Sequence, residues 1–215
     1  MSSIGDEGDL TARASIRNAA LRLFAEHGHD AVTVREIASA AGVSPGLVIH
    51  HFGSKDGLRA AVDAHAAASF DAVFAEFGEG ADLAVMLAGA QAPTSVAEAF
   101  SRAFPHGSPM PGYLRRLLLT NDPAGAALFG RWYGATRRLW DALVELGAAA
   151  PSEDPAVRAA FLLANDLALI LLRNQIAAAI GEDPLTPTGL HRWAKEVTSV
   201  YLQGTFVAPP KESLP

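Results

Sequence analysis

Six side chains that donate hydrogen bonds or carry positive charge lie close together near the N-terminal end of the chain. They are Thr33, Arg35, Ser44, His50, His51 and Lys55. Hydroxyl groups at helix starts, lysine and arginine bind phosphate oxygens, and arginine also binds the O6 and N7 edge of guanine. Because phosphate and base contacts are the two components of sequence-specific DNA binding, this stretch is a candidate DNA interface.

Helix-start signals in the same stretch predict two short helices. Thr33 followed three residues later by Glu36 is a capping box, in which each side chain bonds a free backbone N–H of the other residue. Gly42 ends this helix, since glycine adopts the left-handed turn with little strain. Ser44 caps the next helix, and Pro45 suits its first turn, where no N–H is needed.

The positions of small and aliphatic residues predict how these two helices pack. Ala38 is small enough for the helices to cross closely, and Val48 fills the angle between them. The result is a helix-turn-helix whose second helix can enter a major groove. An ordinary helical hairpin is the alternative, but the outward face of the second helix is not a solvated polar face. That face comprises Gly46, Leu47, Ile49, His50 and His51.

Two further helices are predicted around this pair. Apolar residues at helical spacing indicate one amphipathic helix over residues 11–27, and Ser54 caps a fourth that runs over about 54–77. Residues 1–9 are predicted to form a flexible tail. The DNA-binding domain is therefore expected to begin at residue 10 and to end at residue 53, before the fourth helix.

The charge distribution fits a local DNA-binding patch. The chain carries a net charge of −6, so bulk charge does not attract nucleic acid. From Leu10 to Ala60, six basic residues face four acidic ones, so this segment is +2 while the remainder is −8. The basic residues are Arg13, Arg17, Arg22, Arg35, Lys55 and Arg59.

Residues 54–207 are predicted to form a larger helical domain, which makes the whole fold all-α. Proline and glycine punctuate this part of the sequence. The expected helices lie near residues 81–89, 94–103, 111–119, 122–148, 155–180 and 187–204. The proline-rich residues 208–215 predict a second flexible tail.

The helix expected over residues 155–180 is apolar nearly all round, which predicts burial on more than one face. One face would meet its own domain and another a second copy of the chain. The helix near residues 187–204 is amphipathic and is expected to share that contact. A purely intramolecular core is the alternative.

Aromatic residues of the second domain are candidates for a small-molecule pocket, together with one acidic residue. The set is Phe100, Phe104, Tyr113, Phe129, Trp132, Tyr133 and Asp166. An apolar cavity with a few convergent polar groups is what such a site requires. Asp166 would favour a cationic ligand there, or it would pair with an arginine. Plain core packing is the alternative for the aromatic residues.

The sequence from residue 11 to residue 62 resembles the TetR family of bacterial repressors. The resemblance is carried by LFAEHG at the end of the first helix, then TVREIA, then AGVSPGLVIHHFGSKDGL. It implies a homodimer that forms through the last two long helices and binds DNA. It also implies an inducer, apolar or cationic, in the second domain. Ile49 departs from the family pattern, because that position is commonly a tyrosine that holds a phosphate.

The resemblance also implies roles for single residues. Thr33 and Ser44 would hold phosphates at helix starts, with Lys55 gripping another phosphate at the start of the fourth helix. Arg35 is the best candidate for a base-edge contact. Leu47 and Ile49 would contact thymine methyl groups. The set implied for DNA contact is Thr33, Arg35, Ser44, Pro45, Gly46, Leu47, Ile49, His50, His51 and Lys55, although His51 has an equal claim to pack against the first helix.

Other classes of function find little support. The absence of cysteine excludes disulfides, thiol catalysis and cysteine-ligated zinc. No glycine-rich phosphate loop, HExxH motif or catalytic triad is present. Adjacent His50 and His51 diverge by about 100° on a helix and do not share a metal. We therefore expect a cytoplasmic non-enzyme without membrane segment, metal or cofactor, the alternative being a DNA-binding regulator that has no small-molecule pocket.

Overall fold

The computed structural model describes residues 4–76, 102, 104–105, 107–120 and 122–203. The secondary structure of this part of the chain is helical, with no strand, as the sequence predicts. Its helices are α1 (Ile4–His27), α2 (Val34–Ala41), α3 (Pro45–Phe52), α4 (Lys55–Glu76), α5 (Met110–Leu119), α6 (Pro123–Glu145), α7 (Pro155–Leu171), α8 (Arg173–Ile180) and α9 (Pro187–Gln203). Phe100, most of the helices expected over residues 81–103 and the tail 208–215 lie outside the described residues.

The first helix is longer than the sequence analysis expected. Its first turns cover residues that were predicted to form a flexible tail, since α1 begins at Ile4. Once a helix is nucleated, each added residue gains a backbone hydrogen bond, and no proline stands between Ile4 and Leu10 to stop it. Gly28 ends α1 with a φ of 84°, as predicted.

One hydrophobic core connects the first helices to the second half of the chain. Ile16 and Phe24 of α1 and Val48 of α3 are fully buried in it, and so are Leu114 of α5 and Trp132 of α6. The burial of large apolar side chains is the main favourable contribution to folding. In the DNA-binding domain it is α1 that packs directly against α5, so a shift of α5 changes the surroundings of α1.

The long helix predicted over residues 155–180 is broken. It consists of α7 and α8, whose axes differ by 78° at Leu172. The Arg173 guanidinium donates two hydrogen bonds to Asp183, at 2.9 and 2.5 Å, and so anchors the second segment to the loop before α9. Apolar periodicity does not reveal such a break, because it continues across the bend.

Membrane-spanning length is not reached by any one helix in the described ranges. Only α7 and α8 taken together satisfy the length and composition that a span requires, and they are the bent pair described above.

Candidate nucleic-acid interface and its junction with the second domain

The capping box at the start of α2 forms as predicted. The Glu36 N–H donates to Thr33 Oγ1 at 3.2 Å, and the Thr33 N–H donates to Glu36 Oε2 at 2.7 Å. The hydrogen bond from the Thr33 backbone is the main reason why the pKa of Glu36 lies below its usual value. These bonds fix the start of α2 although Thr33 and Glu36 are both exposed.

The turn between α2 and α3 also has the predicted geometry. Gly42 ends α2 in the left-handed conformation with a φ of 70°. Ser44 caps α3 by accepting a hydrogen bond from the Leu47 N–H at 3.2 Å. Ala38 and Val48 are buried where the two helices cross. The helix-turn-helix is therefore confirmed as a unit.

The outward face of α3 leaves most of the predicted contact residues open to a ligand. Gly46, Ile49 and His50 are exposed, with 43% of Ile49 accessible, while Leu47 and His51 are half-buried. The His51 ring lies edge-on to the rings of His50 and Phe52. His51 thus packs within α3 and is less available to DNA than His50.

Gly46 is not required by the fold. A Cβ built there has only Ser44 Oγ within 4 Å, at 3.9 Å, and the backbone φ of Gly46 is not positive. Alanine would stabilise a helix by about 0.8–1 kcal/mol relative to glycine. The missing side chain leaves room for another molecule to approach the backbone of α3 closely.

The two basic residues predicted to bind DNA differ in their surroundings. Arg35 on α2 is exposed, as is Thr33 at the start of that helix. Lys55, at the start of α4, donates a hydrogen bond from Nζ to the Val32 carbonyl at 2.8 Å. An ammonium group has three N–H donors, so a phosphate contact by Lys55 would add to this bond.

The seven residues predicted to line a small-molecule pocket do not share one pocket in the described residues. Phe104, Tyr113 and Trp132 are buried in the main core. The Tyr133 hydroxyl donates to the Ala156 carbonyl at 3.4 Å and so links α6 to α7. Phe129 lines a groove, and Phe100 lies outside the described residues. Helical spacing places aromatic residues on a face but does not say whether that face meets a cavity or another helix.

Asp166 lies beside Tyr201 of α9 and not in the groove that contains Phe129. It is exposed in a single protomer, yet the side chains around α7 desolvate its carboxyl group and raise its pKa to about 7. Within the described part of the chain it forms no ion pair with an arginine. Its neighbour Asn165 donates a hydrogen bond to the Tyr201 hydroxyl at 3.1 Å.

A polar cluster joins α4 to α5 and α6. Arg59 of α4 forms an ion pair with Asp122, the N-cap of α6, and its Nε lies 3.8 Å from Asp63. The Tyr113 hydroxyl of α5 donates to Asp63 at 2.5 Å, and burial together with this bond raises the pKa of Tyr113. Burial opposes ionisation of Asp122, but hydrogen bonds from the Ala124 N–H and Arg59 hold its pKa below the usual value.

The sequence analysis missed this cluster. It counted Arg59 with the DNA-binding patch and Tyr113 with the ligand pocket, whereas both hold α4 against α5 and α6. Asp122 directly before Pro123 is a helix-start signal that identifies the cap. No local signal identifies Arg59 as its partner across 63 residues.

A second polar contact joins α5 to α1. Arg116 donates from Nη2 to the Glu26 carbonyl at 3.1 Å, in the last turn of α1. A cation at the C-terminal end of a helix satisfies free carbonyls and complements the helix dipole. Polar contacts therefore hold α1 to α5, and α4 to α5 and α6.

The described residues of the second domain form surface grooves, of which two have volumes above 500 Å³. The Asp122 groove has a volume of about 580 Å³ and is lined by Leu118, Thr120, Asp122, Phe129, Leu167 and Leu171, among others. The Trp140 groove has a volume of about 570 Å³ and is lined by Trp140, Phe161, Asn165, Trp193 and Tyr201, among others. The first borders the polar cluster, whereas the second lies between α7 and α9.

Comparisons with known proteins agree with this geometry. Residues 16–62 match the profile described as "Bacterial regulatory proteins, tetR family". The HTH-type transcriptional regulatory protein RaaS of Mycobacterium tuberculosis is 39% identical over 154 residues, which cover 72% of this chain and 67% of RaaS. The HTH-type transcriptional repressor AcnR of Corynebacterium glutamicum is 38% identical over 78 residues, which cover 36% of this chain and 42% of AcnR.

Solved structures share the fold. The transcriptional regulator FadR from Bacillus subtilis, solved in complex with stearoyl-CoA, superposes with a TM-score of 0.66 at 14% identity and covers 90% of this chain and 99% of FadR. Together, the helix-turn-helix geometry, the profile match and the similarity to RaaS show that the chain belongs to the TetR family of bacterial transcriptional regulators.

Proposed function

We propose that the protein is a repressor that binds operator DNA as a homodimer and leaves it when a small molecule binds the second domain. The observation that carries the DNA-binding part is the outward face of α3. It combines an exposed glycine that the fold does not need with an exposed apolar side chain, Ile49, and the hydrogen-bonding His50. Such a face suits close contact with base edges and thymine methyl groups.

Phosphate contacts would surround this face. Thr33 and Ser44 stand at the starts of α2 and α3, where backbone N–H groups and the helix dipole favour anions. Arg35 is exposed in the first turn of α2, and Lys55 stands at the start of α4. The phosphate that a tyrosine would hold in relatives is left to His50, which is the exposed donor next to Ile49.

A homodimer is supported by an exposed apolar surface on α7 and α9. Val157 and Phe161 of α7 are 63% and 64% exposed, and Val200, Tyr201 and Leu202 of α9 are also open to solvent. Monomeric proteins seldom leave contiguous apolar patches of this kind uncovered. A two-fold pairing through these helices would place two copies of α3 in successive major grooves, about 34–36 Å apart.

Release by a ligand is supported by the tight connection between the domains and by the relatives. AcnR is named a repressor, and FadR of Bacillus subtilis binds stearoyl-CoA in its solved structure. In this chain, Arg59 and Arg116 hold the N-terminal helices against α5 and α6. A ligand that favours another arrangement of these helices would change the spacing of the two α3 helices and weaken operator binding.

Selection of bound sequences from random DNA tests the proposal. We expect an inverted repeat whose half-sites are centred about one helical turn apart, bound by a dimer in sedimentation measurements. A single half-site bound by a monomer would contradict the dimer. Failure to enrich any sequence at low salt, where phosphate contacts are strongest, would contradict operator binding.

A further inference from the structure

The Asp122 groove combines an apolar floor with a carboxylate at one end. Phe129 is 38% exposed in it, and Leu118, Leu167 and Leu171 provide further apolar surface. Its volume of about 580 Å³ lies within the range of small-molecule sites. The Asp122 side chain is 21% exposed, so an occupant can reach the carboxylate.

The fixed charges next to the groove are not balanced. The Arg59 guanidinium forms ion pairs with two carboxylates, those of Asp122 and Asp63. The cluster therefore carries a net negative charge at one end of an apolar groove. This arrangement is complementary to a molecule that has an apolar body and a single positive charge.

We propose that an amphipathic cation binds in the Asp122 groove and competes with Arg59 for the Asp122 carboxylate. This proposal rests on the proposed function, since it names the class and the place of the small molecule. The apolar body covers Phe129, Leu167 and Leu171, and the cationic group lies against Asp122. The Asp122 oxygen that accepts the Ala124 N–H at 2.9 Å stays in place as the cap of α6.

Competition at Asp122 reaches the DNA-binding domain through α4. Two ion pairs hold α4 to α6, Arg59 with Asp122 and Asp71 with Arg131. Loss of the first weakens the hold on the end of α4 that adjoins α3, where Tyr113 still bonds Asp63, while the second ion pair holds the far end. The helix can then tilt about its far end and carry α3 with it, which is a hinge movement.

Calorimetric titration of the full-length protein with decylammonium, decanoate and decanol below their micelle-forming concentrations tests the proposal. The three probes share the apolar chain and differ in head-group charge. Asp122→Asn keeps the helix cap, because asparagine caps as well as aspartate, but removes the charge. Asp71→Asn is the matched control, since it removes the other ion pair between α4 and α6. Phe129→Ala tests the apolar contact at an exposed position.

We expect decylammonium to bind more tightly than either other probe and to weaken binding to the selected operator. Asp122→Asn should lower its affinity by about tenfold, the scale of one charge-assisted contact, and Phe129→Ala should also weaken it. Asp71→Asn should leave the affinity for decylammonium unchanged.

The proposal is overturned if Asp122→Asn binds decylammonium as the wild type does, or if decanoate binds at least as tightly. It is also overturned if decylammonium converts the dimer to monomers, because the groove would then belong to the contact between two copies. Operator binding that no probe affects would reject this inference and leave the proposed function standing. Lack of any operator would reject the proposed function, while calorimetry would still report on the groove.

Discussion

The Phe52 carbonyl oxygen lies 2.1 Å from the point where a Cβ on Gly57 would stand. The end of α3 and the first turn of α4 therefore approach each other more closely than any side chain allows. We expect Gly57→Ala to destabilise the protein by at least about 1 kcal/mol, because the backbone must move to relieve the clash. Urea unfolding monitored by circular dichroism measures this change, and a midpoint equal to that of the wild type would contradict it.

Gly46→Leu should weaken operator binding without destabilising the fold. Space is open at this position, so the free energy of unfolding should stay the same or rise slightly. Operator affinity should fall by tenfold or more, about 1.4 kcal/mol, because the new side chain separates α3 from the groove floor. Fluorescence anisotropy with a labelled operator, beside a thermal melt, distinguishes the two effects. An unchanged affinity would mean that α3 does not approach DNA at Gly46.

Arg35→Ala and Lys55→Ala should affect DNA binding in different ways. Loss of a base-edge arginine should cost about 1–3 kcal/mol on the operator and little on random DNA. Loss of a phosphate-binding lysine should weaken both and lower the slope of log affinity against log salt by about one. Because Lys55 also holds the Val32 carbonyl, a melting curve must accompany the second titration. Equal affinities for all three proteins would refute both roles.

Phe161→Asp should convert the dimer to a monomer. It places a charge on the exposed apolar face of α7. A dimer formed through this face would have to bury that charge without a partner, which is costly. Leu119→Asp is the matched control, since Leu119 is 65% exposed but belongs to α5 and not to α7 or α9. Sedimentation velocity gives the result directly, and a dimer that survives Phe161→Asp would move the interface elsewhere.

The pH dependence of stability should change in Asp166→Asn. The pKa of Asp166 is raised to about 7 by desolvation, so the folded state holds its proton more tightly than the unfolded state does. Below about pH 4 the Asp166 carboxyl is protonated in both states and does not affect the free energy of unfolding. As the pH rises to about 7, ionisation favours the unfolded state, and the free energy of unfolding falls. Thermal melts across this range should show a shallower decline in the variant than in the wild type. Asp141→Asn at an exposed site is the control, and parallel curves for all three proteins would contradict the prediction.

The sequence by itself determined the helix-turn-helix. Its signals are local, since each acts over three or four residues and needs no distant partner. They are the capping box of Thr33 and Glu36, the left-handed turn at Gly42, and the Ser44 cap followed by Pro45. Burial of Val48 follows from the same spacing, because the geometry of two helices joined by a short turn leaves one position between them.

Tertiary structure alone decided the partners across the chain. Arg59 pairs with Asp122, Tyr113 bonds Asp63, and Phe129 borders a groove while Trp132 is buried one turn away. An amphipathic pattern fixes which face of a helix is apolar, but the choice between a neighbouring helix, a cavity and solvent depends on how all the helices pack. For that reason the candidate DNA interface could be predicted residue by residue, whereas the junction that would couple it to a ligand could not.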